Sequence, residues 1–405
     1  MLYHYKSIEE ALKSLLQHVK LEPGFTEVAL DNAVGMVLAE DIYAPIDLPP
    51  FDRSAVDGYA ICSEAVSSAS PNNPIPLKIQ FGNALNSCDE AIPVVTGQKM
   101  PVGADAVVMI EDVIRDNNTI YVTKSLSKYA NVSRRGEDIR AGEKIASKGE
   151  IIKPVHVAIF SALGITRIRV FEKISIGVIA TGSEVAEPTY GIRAYEEGLT
   201  LDSTSILIRA ILSEYRFINT KWYGIIKDDE KQIEETILKA LNENQVLVIT
   251  GGTGPSDHDK TFNAVVNIGK NPIIIARGLA MKPGRPTSIV VLENKPVFLL
   301  SGFPVAAYIA LNVVVLNFIF KALGISNETF IEVPALATKK VSGSIGYDTF
   351  VRARIFRCGD ELCTEPVLLH GSGVLKSLLI SNALLVVPRN VEGFDKGDKI
   401  WVKIL

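Results

Sequence analysis

The sequence predicts a multidomain α/β plus β protein, with a central α/β unit on a mixed or parallel sheet between two β-rich units. Three observations carry this expectation. Apolar strand-like runs alternate with helical runs from residue 173 to 323, as happens where helices cover both faces of a sheet. Before them, short Val- and Ile-rich runs punctuated by Gly, Asn and Asp extend to Glu150, the habit of a small β domain. After residue 328 the chain returns to short strands and turns, closing on Lys399-Ile-Trp-Val-Lys-Ile-Leu405. At 405 residues it exceeds one ordinary core, and roughly two to four domains are expected.

Ser7-Ile-Glu-Glu10 is a capping box, and Ile8, Ala11, Leu12, Leu15 and Val19 then recur on one helical face. Residues 45–54 are rich in Pro and Asp and read as an irregular loop. Ser67-Ser-Ala-Ser-Pro-Asn-Asn-Pro-Ile-Pro76 is a breaker cluster and a candidate inter-domain hinge. Strands are expected over 106–110, 119–123 and Lys144–Ala146. Ile174-Ser-Ile-Gly-Val-Ile-Ala180 is a buried-type strand that leads into Thr181-Gly-Ser-Glu184. A helix over 205–215 and a strand over 221–226 follow, then a helix to Asn242 that Asp228 or Asp229 could cap. Val246–Thr250 is another apolar strand and runs straight into Gly251-Gly252. Strands over 273–276, Ser288–Leu292 and 297–300 come next, and then a long helix, Pro304–Leu323.

Apolar residues at 47% and charged residues at 22% are ordinary for a globular protein. A net charge of −4 argues against a nucleic-acid partner, which usually demands a basic excess. Cys62, Cys88, Cys358 and Cys363 lack paired zinc-site spacing and are too sparse for a disulfide scaffold, so reduced thiols in the cytoplasm are expected. Met1-Leu-Tyr-His-Tyr-Lys has no signal-peptide character. The apolar stretch 305–320 has sixteen residues interrupted by Asn312 and Asn317, short of the roughly 20 that span a membrane. A buried core helix and a protein without a membrane partner are expected.

In open α/β sheets ligands sit beyond the carboxyl ends of the strands. Two such ends carry matching chemistry here: Thr181, Gly182, Ser183 and Glu184 on one, Gly251 to Asp259 on the other. Consecutive glycines let backbone amides approach an anion. Asp257 and Asp259 suit a Mg²⁺ that bridges carboxylate and phosphate; taken alone, a tight turn whose aspartates cap a helix starting at Thr261 explains them better. No Gly-Lys-Ser/Thr of a P-loop follows, and Thr181-Gly-Ser-Glu184 is not a Rossmann fingerprint. Met281-Lys-Pro-Gly-Arg-Pro-Thr287 puts Lys282 and Arg285 on a stiff turn fit to meet an oxyanion, or equally to face solvent. No Cys-His or Ser-His-Asp arrangement can be read, and His258 reads as a loop histidine.

The ordered set Pro-Phe-Asp-Arg-Ser-Ala-Val-Asp-Gly-Tyr-Ala (50–60), Thr-Gly…Pro-x-Gly-Ala-Asp (96–105), Arg-Gly-Glu-Asp-Ile (135–139), Thr-Gly-Ser-Glu (181–184), Gly-Gly-Thr-Gly…Asp (251–259), Lys-Pro-Gly-Arg-Pro (282–286) and Gly-Phe-Pro-Val (302–305) resembles the MoeA family. These are molybdopterin molybdenumtransferases, related to the E domain of gephyrin. The tail Gly371-Ser-Gly-Val-Leu…Ser377…Asn382…Val-Pro388 is similar to the family's C-terminal domain, so the likeness covers nearly the whole chain.

The resemblance implies an elongated homodimer with four units per subunit: 1–45 with 140–172 as the N-terminal domain, 46–139 as an inserted β-rich domain, 173–327 as the α/β molybdopterin-binding domain, and 328–405 as a β-barrel-like domain. It also implies a reaction in which molybdate, or tungstate, enters the dithiolene of adenylylated molybdopterin while the pyrophosphate link is cleaved with Mg²⁺ and AMP leaves. By matched motif, Asp57, Thr96 and Asp138 would line the cleft from one subunit. Glu184, Asp228 (or its neighbour Asp229) and Asp259 would line it from the other. Asp57, Asp138, Glu184 and Asp259 take the catalytic roles, with Glu184, Asp228 and Asp259 toward the metal. Thr96, Thr181, Gly182, Asp228, Gly251, Gly252, Thr253, Gly254, Lys282 and Arg285 would bind the ligand. An adenylyltransferase that supplies the substrate is an expected partner.

The chain departs from the family pattern at Gly254, where Ser is frequent, and at Arg285, where Lys is usual. Ser301-Gly-Phe-Pro replaces Pro-Gly-Asn-Pro, and Thr204 replaces Asn. Two rival readings remain: an adenylyltransferase acting with ATP, which would release pyrophosphate, and a non-catalytic scaffold that only binds.

Overall fold

The computed structural model describes residues 5–252, 260–268, 271–325, 331–367, 369 and 371–405. The capping box forms: the Glu10 amide donates to Ser7 Oγ at 3.2 Å, and the Ser7 amide donates to the Glu10 carboxylate at 2.8 Å. The helix Ile8–His18 that it starts buries Ala11, Leu12 and Leu15. Those side chains enter the same core as Ile176, Phe298 and Phe318 of the central unit.

That unit is built on a six-stranded sheet in the order Ile218–Ile226, Ile174–Thr181, Val246–Thr250, Lys295–Leu300, Ser288–Leu292, Ile273–Arg277. The first four strands are parallel and the last two pair antiparallel, so the sheet is mixed. Alternation along a strand sends neighbouring side chains to opposite faces, and both faces here are covered. Val246 and Val248 join the core under helices Ile8–His18 and Thr204–Ser213. Leu247 and Ile249 join the opposite core with Ile233, Ile237, Phe262 and Val265 of helices Glu230–Glu243 and Lys260–Ile268. Burial on both sides is why these strands read as unbroken apolar runs.

The insertion is a second six-stranded sheet, ordered Ala106–Met109, Gly58–Ile61, Glu90–Val94, Ile75–Ile79, Thr119–Val122, Val113–Asp116. Its core contains Val66 and Ala69 as well as Leu77 and Ile79. The breaker cluster at 67–76 therefore lies inside one domain, and the expected inter-domain hinge is corrected to a loop with core residues on both flanks. In the tail, strands Asp348–Cys358, Glu361–Pro366, Glu332–Ala337, Lys399–Ile404 and Ala383–Val387 pair in turn, and the last returns to the first. This is a closed five-stranded barrel.

The expected long buried helix Pro304–Leu323 forms, and two further expectations are corrected: that its apolar stretch is too short to span a membrane, and that the cysteines are free. Pro304–Leu323 is one continuous helical stretch of 20 residues, long and apolar enough by length and composition to cross a membrane, with 72% of its apolar window buried inside the protein. Leu311–Leu316 is a π-helical turn between two α-helical segments, and neither Asn312 nor Asn317 ends the helix, their amides donating to the carbonyls of Tyr308 at 2.8 Å and Val313 at 3.3 Å. The cysteines are not free: Cys62 pairs with Cys88, and Cys358 with Cys363, as disulfides. Partners 26 residues apart in sequence stand 5.2 Å apart between Cα atoms, a meeting that only the folded strands create.

Leu15 is wholly buried at the joint between the first helix and the central core. Leu15→Ala is expected to lower stability by about 2–5 kcal/mol, read as a drop in the denaturant midpoint.

Candidate active site

The carboxyl ends of the parallel strands meet at one edge of the central sheet. Gly251 follows strand Val246–Thr250 with φ at 91°, and a Cβ there would overlap the carbonyl oxygen of Thr181. Gly252, with φ at 59°, lies equally close to the hydroxyl of Thr261. Only glycine allows both the left-handed backbone and the approach. Thr181 Oγ1 sits 3.0 Å from Thr261 Oγ1 and donates to the Thr250 carbonyl at 3.3 Å. Both threonines are buried, so the Thr181 hydroxyl forms the floor of the site.

The loop after strand Ile174–Thr181 is tied to the loop after strand Ile218–Ile226. The Ser183 amide donates to Asp228 Oδ2 at 3.0 Å, and the Asp228 amide donates to Ser183 Oγ at 3.0 Å. Asp229, the alternative, is occupied as the cap of helix Glu230–Glu243, where its Oδ1 accepts from the Gln232 amide at 2.9 Å. Asp228 is thus the one that faces the strand-end loops. Lys260 Nζ donates to the Asp228 carbonyl at 2.8 Å. Glu184 is exposed and folds over Gly182, whose φ is 140° and where a Cβ would lie 2.9 Å from both carboxylate oxygens.

The third strand end, Ser301-Gly302-Phe303, packs against the glycine turn, with a Gly302 Cβ position 3.4 Å from Gly251 Cα. Thr204 Oγ1 donates to the Gly302 carbonyl at 2.6 Å, which gives that departure from the family pattern a role in holding the turn. From the barrel domain, the Ser372 carbonyl accepts from the Val305 amide at 3.0 Å, and Gly373 lies against the Phe303 ring. Lys282 and Arg285 project from the neighbouring turn, with Lys282 Nζ 4.5 Å from the Tyr347 ring centre. Thr253, Gly254, Asp257, His258 and Asp259 lie outside the described residues.

Asp57 and Thr96 are brought together in the insertion. Asp57 Oδ1 accepts from the Thr96 amide at 2.7 Å and from its hydroxyl at 2.9 Å. The amide first, then the hydroxyl, holds the Asp57 carboxyl below the ordinary aspartate range. Asp138 sits on the loop 135–141, exposed. Asp47 and Asp52 fasten that loop. Asp47 accepts from the Ala141 amide at 2.9 Å and from Arg135 Nε at 2.5 Å, and Asp52 accepts from the Arg135 amide at 2.7 Å. Among the described residues no hydrogen bond or ion pair joins Asp57, Thr96 or Asp138 to Glu184 or Asp228 within the chain. Nor does any group of three or more His, Cys, Asp or Glu there stand ready to hold a metal ion.

Arg352 also escaped the sequence reading, because a single Arg in a β-rich tail carries no spacing signal. It is buried inside the barrel domain, where Nε donates to Ser377 Oγ at 3.1 Å and Nη2 to the Leu369 carbonyl at 2.8 Å. It makes no ion pair among the described residues, and burial pushes its pKa down.

Thr96→Val is expected to move the Asp57 pKa up, partway toward the ordinary value, because the amide bond remains. A depressed carboxylate contributes stability that is present above its unfolded pKa and is lost as pH falls through the folded one. The parent and variant titration curves of Asp57, followed by carbon NMR, should therefore differ only on the acid side.

Three family models match the chain: the MoeA N-terminal region (domain I and II) at residues 6–164, a probable molybdopterin binding domain at 177–321, and the MoeA C-terminal region (domain IV) at 334–405. A protein of Methanocaldococcus jannaschii, named for molybdopterin biosynthesis, is 35% identical over 99% of this chain and 97% of its own. A molybdopterin molybdenumtransferase of Staphylococcus epidermidis is 30% identical over 98% of this chain and 94% of its own. The crystal structure of the molybdopterin biosynthesis MoeA protein of Pyrococcus horikoshii superposes with a TM-score of 0.85 at 34% identity, covering 99% of this chain and 100% of that one. With strand-end geometry, module order and full-length similarity in agreement, the chain belongs to the MoeA family.

Proposed function

We infer that this protein is a molybdopterin molybdenumtransferase that completes molybdenum cofactor from adenylylated molybdopterin and molybdate or tungstate, releasing AMP. The observation that carries this reading is the convergence of Glu184, Asp228 and the Gly251-Gly252 backbone at adjacent carboxyl ends of parallel strands. A phosphorylated ligand is the natural guest of such an edge.

The residues divide the work by charge. The glycine turn allows backbone amides to approach a phosphate without a side chain in the way. Glu184 is exposed and Asp228 half-buried, and the Ser183 amide engages Oδ2 of Asp228. Such a pair fits Mg²⁺, which takes one or two carboxylates and fills its sphere with phosphate oxygens and water. When bound, the ion neutralises the pyrophosphate and polarises the bond that breaks. Lys282 and Arg285 hold the oxyanion, and Arg352, a buried cation with no carboxylate partner among the described residues, is available for the same duty. Asp259 belongs to this reading by its motif.

The working unit is a homodimer in this reading. Among the described residues Asp57, Thr96 and Asp138 make no hydrogen bond or ion pair to Glu184 or Asp228, and a second copy would present them across the cleft. A cytoplasmic location goes with the reading.

The direct experiment mixes the protein with adenylylated molybdopterin, molybdate and Mg²⁺ and follows AMP and metal incorporation together. Both should appear in step, and Asp259→Asn should abolish AMP release while the circular dichroism spectrum stays that of the parent. Pyrophosphate release from ATP would instead identify an adenylyltransferase, and tight ligand binding without turnover a scaffold.

A shared cleft makes a separate prediction. Asp57→Asn and Asp228→Asn should each be inactive alone, yet co-expression should restore activity, since a hybrid dimer with exchanged surfaces carries one intact cleft. If hybrids stay as inactive as either parent variant, the cleft is not shared.

A further inference from the structure

We propose that Tyr347 and Tyr5 form an aromatic seat that positions Lys282 and Arg285 for the tetrahedral oxyanion. The proposal rests on the reading of those two cations as the oxyanion-holding pair, and it adds what orients them.

Three distant chain segments meet at the turn. Strand Met281–Lys282 pairs in parallel with strand Asp348–Cys358, with Met281 opposite Asp348 and Lys282 opposite Thr349. The Asp348 amide donates to the Ala280 carbonyl at 2.9 Å, and the Ala280 amide donates to the Lys6 carbonyl at 2.8 Å. The N-terminal segment, the turn and the first barrel strand are thereby stitched side by side. Tyr5 lies against Gly278, where a Cβ would approach its ring to 2.6 Å.

This backbone register sets the side chains in pairs. Lys282 Nζ stands 4.5 Å from the centre of the Tyr347 ring. The Arg285 guanidinium stands 6.0 Å from that of Tyr5. The two rings are themselves 6.1 Å apart and inclined at 46°. Among the described residues neither cation makes an ion pair, so neither charge is consumed by a carboxylate.

The consequence is energetic. A free lysine or arginine loses rotamer freedom when it closes on a ligand, and that loss weakens binding. A ring face holds the cation through its quadrupole while leaving the outer N–H groups free to donate. A planar guanidinium suits an aromatic face better than an ammonium does, in keeping with Arg at 285. The barrel domain, which supplies Tyr347, thus acts on the reaction through Lys282. Tyr347 and Tyr5 are positioning residues.

Steady-state turnover of the full-length protein at varied molybdate concentration tests this. Tyr347→Leu should raise KM for molybdate about 3- to 10-fold, the span of a ring–cation contact, with kcat near the parent value. Tyr347→Phe, which keeps the ring face, should stay close to the parent. Tyr5→Leu should give the same KM effect through Arg285, and it carries the test if Tyr347→Leu does not fold. Lys282→Ala serves as the reference. If Lys282→Ala leaves the molybdate KM unchanged, the oxyanion role falls and the seat with it. If Lys282→Ala raises KM while both Leu variants do not, the seat alone is overturned. It is overturned too if Tyr347→Phe is as impaired as Tyr347→Leu, or if the Leu variants lower kcat at unchanged KM, the mark of a merely structural role.

Discussion

The site depends on how closely the Gly251-Gly252 turn approaches its neighbours. A single methyl on Gly251 would overlap the Thr181 carbonyl, and one on Gly252 would overlap the Thr261 hydroxyl. That closeness lets two parallel strand ends and one helix start share a single floor, sealed by the buried Thr181–Thr261 pair. Because the floor is closed, the polar groups of Ser183, Glu184 and Asp228 are left at its rim. The turn also lets Gly302 pack within 3.4 Å of Gly251, which brings the third strand end and the start of the long core helix to the same edge. A bulkier residue would push the strand ends apart and leave the carboxylates without a common centre.

The remaining modules are organised around that edge. The helix Pro304–Leu323 starts beside it and runs back through the core, so its apolar length reflects burial on nearly all sides. The barrel domain leans on its first turn through the Ser372–Val305 hydrogen bond and the Gly373–Phe303 contact. The N-terminal helix, separated from the central unit by the whole insertion, still buries Leu12 and Leu15 in the central core. The insertion keeps its own apolar core around Ile61, Leu77 and Val108. The hydrogen-bonded pair Asp57 and Thr96 therefore stays a self-contained unit.

Where function rides on chain-local geometry, the sequence was legible. The strand Ile174–Thr181, the strand Val246–Thr250 and the Ser7 cap are each specified within a few residues, by burial on two faces or by one side chain reaching three positions. The strand over 218–226 starts earlier than expected, because its first residues are polar as well as apolar. What sequence hid was contact at long range. Nothing at Asp47 announces that it holds a loop 94 residues away, and nothing at Arg352 announces burial beside Ser377. The asparagines of the long helix bear only on its apolar length, not on its continuity. Asparagine disfavours helices by competing for backbone groups, yet here each amide satisfies a carbonyl of its own helix. The cysteines could not be paired from spacing, since strand order decides which of them meet.

Charge placement shows what the fold is arranged to receive. The ion pairs among the described residues join groups away from the strand ends, such as Lys221 with Glu243 and Lys339 with Glu365. None uses Asp57, Asp138, Glu184, Asp228, Lys282, Arg285 or Arg352. Neutralising these charges internally would be simple chemistry, because carboxylates and cations are both present near the edge. Instead Asp57 is tethered by an amide and a hydroxyl and Asp228 by an amide, and the cations rest on rings or carbonyls. Such contacts fix direction while leaving net charge in place, at some cost in stability through like-charge repulsion and burial of Arg352. A ligand that carries anionic groups and brings its own cation satisfies both sets together. On the proposed function, this separation of charge suits a phosphorylated substrate at one end of the cleft and an oxyanion at the other.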